Sequence, residues 1–72
     1  MGPCRVLFYS NEGLEPPHVH IQRGRSLAKF WLDPVAQASA SGFQARELRE
    51  LERLVDGNRH IWLEAWNEFF SS

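Results

Sequence analysis

The strongest constraint on this chain lies after position 47. Leu48, Leu51, Leu54, Val55, Ile61, Trp62, Ala65, Trp66, Phe69 and Phe70 recur every three or four residues, the period of a helix with one apolar side. Such a helix depends on something else covering its stripe. The chain has only 72 residues, and a domain that short buries only about 60% of the surface its unfolded form exposes. The lone Cys4 forms no internal disulfide, and no Cys-x-x-Cys or Cys/His zinc spacing is present, so disulfides and a structural zinc are excluded as reinforcement. An oligomer or a partner chain is the expected source of further burial. Gly57-Asn58 interrupts the stripe without shifting its phase. A helical glycine costs about 1 kcal/mol relative to alanine, so two nearly collinear segments, 44–56 and 58–70, are expected. Ser41 followed by Gln44 fits a capping box and places the start near Phe43 or Gln44.

The first half reads as sheet. Residues 4–10 are rich in β-branched and aromatic types and are closed by the turn chemistry of Asn11-Glu12-Gly13. Pro16-Pro17 supplies no backbone N–H and holds the entry to the next segment extended, so a second strand begins at about His18 and runs to Gln22. Arg23-Gly24 is the expected hairpin loop, pairing Gln22 with Arg25, His20 with Leu27 and His18 with Lys29. Asp33-Pro34 breaks the next strand, residues 35–38 form a short fourth one, and residues 39–42 read as a linker of small residues. The expected architecture is one α+β domain over 1–72. A three- or four-stranded antiparallel meander, about 4–38, is followed by one or two C-terminal helices, about 44–70, packed on one face.

Strand alternation sorts the hairpin into two unlike faces. Val19, Ile21, Ala28, Phe30 and Leu32 form a core face. His18, His20, Gln22, Arg25, Leu27, Lys29 and Trp31 form a polar, basic face. Packing against the core face is the expected use of most of the stripe formed by Trp62, Trp66, Phe69 and Phe70. One small sheet face can hardly cover four large rings, however, so part of that stripe is expected at an interface.

Three chemistries suit the basic face. His18 and His20 have the spacing of two metal ligands on one side of a strand, but a third ligand would have to come from His60, Glu12, Glu15 or Asp33, and His60 falls on the far side. No metal and no cofactor are expected. His18, His20 and Lys29, with Arg25 beside them, could instead perform acid–base cleavage of RNA, although no nucleophile motif, carboxylate pair or phosphate loop accompanies them. Binding fits best: His18, His20, Gln22, Arg25, Lys29 and Trp31 form the candidate binding surface, and Pro16 and Pro17 the motif turn. Residues 1–32 carry more bases than acids and residues 33–72 the reverse, so a local basic patch survives a formal net charge of -1. The charges at Arg46, Glu47, Arg49, Glu50, Glu52 and Arg53 read as a solvated helix side with i,i+4 pairs, and Cys4 as a buried or incidental thiol. No apolar run spans a membrane and no secretory leader opens the chain, so a cytoplasmic location is expected.

The segments LFYSNEG, EPPHVHIQRG, AKFWLDPV, GFQARELRELERLV and LEAWNEFF together resemble a small bacterial family, domain of unknown function 4160, over most of the chain from about Leu7 to Phe70. The Pro-Pro-His-x-His segment is the most specific part. The resemblance implies a gene placed beside that of a second small protein, often of the domain of unknown function 2442 type, in arrangements suggestive of toxin–antitoxin modules. It supplies no catalytic residue. The expected function is therefore a non-enzymatic interaction module, one component of a bacterial toxin–antitoxin-like pair. It would act through a small protein encoded nearby or a homodimer, with nucleic acid as a further candidate ligand. The alternative is a small metal-independent ribonuclease-type toxin using His18 and His20.

Overall fold

The computed structural model describes residues 4–8 and 14–70. Strands β1 (Arg5–Leu7), β2 (His18–Arg23), β3 (Ser26–Leu32) and β4 (Val35–Ser41) precede one helix, α1 (Ala45–Phe70). The strands form an antiparallel meander in the order β1-β2-β3-β4, and α1 packs chiefly on β3 and β4. This is the expected α+β architecture. The expected first strand at 4–10 contains β1, while its Tyr9 and Ser10 and the turn at Asn11-Glu12-Gly13 lie outside the described residues.

Four expectations need correction. The β2–β3 loop is Gly24-Arg25, not Arg23-Gly24, because Arg23 pairs with Ser26, Gln22 with Leu27, His20 with Lys29 and His18 with Trp31. Gly24 has a φ of 60° at the first central position, where a two-residue hairpin favours glycine. The slip is by two residues, so both faces keep their members and only Arg25 moves into the loop. Second, the small residues 39–41 continue β4 rather than forming a linker. A bulge makes room, with Lys29 paired to Ser39 and Phe30 to Gln37, leaving Ala38 as the extra residue.

Third, the helix cap is not Ser41 with Gln44. The Gln44 backbone N–H donates to Glu47 Oε1 at 2.8 Å, the return half of a capping box one turn later, and Glu47 also binds the Arg23 guanidinium. Arg23 in turn lies over the Phe43 ring, 5.3 Å from its centroid. Fourth, Gly57 does not divide the helix, which is continuous from Ala45 to Phe70. An unbroken apolar phase outweighs a cost of about 1 kcal/mol, and the Asn58 side-chain amide donates to the Leu54 carbonyl at 2.8 Å.

The core is Val19, Ile21, Ala28, Phe30 and Leu32 from the sheet against Leu51 and Val55 from α1, with Leu48, Trp62 and Leu63 packed around it. Gly42 links β4 to α1 at a φ of 84°, and its carbonyl accepts a hydrogen bond from Ser26 Oγ at 3.0 Å. A Cβ there would lie 2.8 Å from that same oxygen. The two glycines therefore predict opposite outcomes. Gly57, where an added Cβ meets nothing within 4 Å, should gain about 1 kcal/mol on replacement by alanine. Gly42→Ala should lose about 1–3 kcal/mol. Urea titration of both variants checks the pair.

Candidate functional site

Pro16-Pro17 sets where the ladder starts, and both of its carbonyls are used. The Leu32 N–H donates to the Pro17 carbonyl at 3.0 Å, which ties the beginning of β2 to the end of β3. The carbonyl of Pro16 lies 2.9 Å from His18 Nδ1. A carbonyl only accepts, so His18 carries its proton on Nδ1. Glu15 Oε1 is 2.5 Å from Lys29 Nζ and 3.9 Å from His18 Nδ1. Lys29 Nζ lies 4.7 Å from the centroid of Trp31, within cation–π range.

The histidines are not on an open surface. His18 is fully buried and His20 is 8% exposed. Their rings meet edge to face at 5.3 Å, and His18 meets Trp31 in the same way at 5.6 Å. The cover comes from α1: Trp66 lies 4.8 Å from the His18 ring and continues to Phe70 at 4.1 Å and to Phe8 at 5.9 Å. Length explains this. A helix of 26 residues measures about 39 Å, whereas the six residues of β2 span about 20 Å. α1 starts beside the Arg23 end of the sheet, where Glu47 holds it, and its last turns bring Trp66 to the His18 end.

The candidate binding surface is thus divided. His18 and His20 belong to a buried ring cluster. Lys29 is held by Glu15 and Trp31, Gln22 and Trp31 are half-buried, and Arg25 stands exposed in the hairpin loop. His60 is exposed on α1 and is not brought to the pair. Among the described residues, no group of three or more His, Cys, Asp or Glu side chains could hold a metal ion. Cys4 is exposed rather than buried.

Sequence reasoning passed over Trp66 as a neighbour of His18. The signal was present in the surplus of rings at the C-terminal end, more than one sheet face can cover. It also passed over the apolar residues that stay exposed beside the core stripe. Leu54 and Ile61 lie seven residues apart on one line of α1, and Ile61 is 65% exposed; Phe69, in line with Leu51, is half exposed at the edge of the ring cluster against Phe8 and Phe70. No helix among the described residues is long and apolar enough to cross a membrane.

Fold and site together define a small α+β domain whose sheet ends in a buried His-x-His pair roofed by aromatic rings. The chain matches the family model described as Domain of unknown function (DUF4160) over residues 4–67, most of its length, and it belongs to that family. No curated protein and no solved structure matches it.

Burial of a hydrogen-bonded ring makes His18 a structural residue with a measurable cost. His18→Ala should lower unfolding free energy by about 2–4 kcal/mol, through a cavity beneath Trp66 and an orphaned Pro16 carbonyl. Lys29→Ala removes a partly exposed ion pair and should cost under about 1 kcal/mol. Denaturant titration followed by tryptophan fluorescence compares the two.

Proposed function

We propose that this chain is a non-enzymatic interaction module of the bacterial cytoplasm, one component of a toxin–antitoxin-like pair, whose ligand is an unlike small protein. The observation that carries this reading is the exposed apolar flank of α1, formed by Leu54 and Ile61, next to the core stripe on the side of α1 that carries Glu47. Val6 on β1 adds an exposed side chain on the core face of the sheet. An apolar line on a helix, bordered by charged residues, suits an amphipathic element of a second chain.

The ribonuclease reading has less support. A fully buried His18 offers a scissile phosphate no approach, and two open hollows between β4 and α1 are lined by neither histidine. Nucleic acid, if it is bound, would have to meet Arg25 and the exposed rim rather than the imidazoles.

Co-expression with the product of the neighbouring reading frame provides the test. The native chain should co-purify with that product, and the double variant Leu54→Glu, Ile61→Glu should lose it at least tenfold while keeping its helical circular dichroism. Equal retention of the partner by the variant overturns the reading. So does cleavage of RNA by the native chain that disappears in His20→Ala.

A further inference from the structure

The opposite flank of α1 has a different character. Half a turn around from Leu54, Arg49, Glu52, Arg53 and Asp56 stand exposed above β4, where Val35 lines one open hollow with Glu52, Arg53 and Asp56, and Gln37 lines another with Arg49 and Glu52. β4 is an edge of the sheet. It has seven residues, Val-Ala-Gln-Ala-Ser-Ala-Ser, with no charge and no proline, so it lacks the side chains that usually block pairing at an edge.

We propose that a second copy of this chain docks along β4 and this flank of α1. The twofold axis sets Arg49 of each copy opposite Asp56 of the other, and Glu52 opposite Arg53. Two observations select a copy over any other occupant. The first is charge pattern. Arg49 and Arg53 are four residues apart, as are Glu52 and Asp56, so like charges are neighbours along each row, while Arg49–Glu52 and Arg53–Asp56, three apart, are of opposite sign. The ion pairs found among the described residues nevertheless lie elsewhere, at Glu15, His18, Lys29, Arg23 and Glu47, so the four charges on this flank are left to an outside partner. An axis between positions 52 and 53 converts both rows into opposite-sign contacts. A peptide of a single sign would meet two like charges among the four.

The second observation is spacing. α1 lies over the β3–β4 pair, and strands in a sheet are about 4.8 Å apart. Joining β4 to β4 in an antiparallel sense therefore places the two helices side by side about 10 Å apart, the ordinary distance for packed helices. The hollows at Val35 and Gln37 put the axis near Ala36. The bulge at Ala38 turns the strand beyond it, so residues 35–37 form the new ladder and the helix charges set its register. This face is separate from the Leu54–Ile61 flank, so an unlike partner and a second copy can be bound at once.

Sedimentation equilibrium on the full chain over a dilution series tests the proposal. The native protein should reach about twice 8.4 kDa. The all-acidic variant Arg49→Glu, Arg53→Glu and the all-basic variant Glu52→Arg, Asp56→Arg should each sediment as monomers with native helical circular dichroism. Mixing the two in equal amounts should restore the doubled mass, since every facing pair is again of opposite sign. A native chain that stays monomeric at the highest concentration overturns the proposal. So do variants that remain dimeric alone, or folded variants that stay monomeric when mixed.

Discussion

The helix is longer than the sheet it covers, and the arrangement of every other part depends on that mismatch. Strands of six and seven residues span about 20–23 Å, and α1 runs on for roughly as much again. Its first half meets the core face through Leu51 and Val55. Its second half packs Trp62 and Leu63 against the edge of the same core and then reaches the end of β2, where Trp66 closes over His18. The side chains that neither task absorbs, Leu54 and Ile61, stay exposed.

That cluster shows how a polar ring becomes part of a small core. Burying an imidazole is unfavourable unless its nitrogens find partners, and the double proline solves this locally. The Pro16 and Pro17 carbonyls both accept from groups outside the dipeptide. One accepts from His18 and the other from the β3 backbone. The same dipeptide therefore positions the strand, joins it to its neighbour and satisfies the first buried histidine.

Much of the fold was legible in the sequence because its signals were periodic. Alternation along β2 and β3 assigned Val19, Ile21, Ala28, Phe30 and Leu32 to the core face, and a pairing register slipped by two residues left that assignment intact, since strand faces repeat with period two. The helix stripe was equally plain. Features set by competition between weak terms were not legible. Gly57 was given too much weight against a continuous stripe. Residues 39–41 have the composition of a linker but gain a ladder with β3, and the capping residue moved by one turn because Glu47 could serve the helix and Arg23 together. The burial of His18 was the largest miss. Alternation predicts on which side of a sheet a residue lies, but not whether another element reaches around its end.

The passage from sheet to helix leaves little slack. Only Gly42, Phe43 and Gln44 lie between β4 and α1, and both sides of that passage are fastened, by Ser26 to the Gly42 carbonyl and by Arg23 to Glu47. One residue more or fewer would turn the helix by about 100° about its axis. Leu51, Val55 and Trp66 would leave the sheet together, and charged side chains would take their places. Related chains should accordingly vary freely in residue type on the outer helix surface while keeping the number of residues here fixed. A gap in their alignment is expected first at the Gly24-Arg25 loop, whose protruding tip touches neither the core nor the ring cluster.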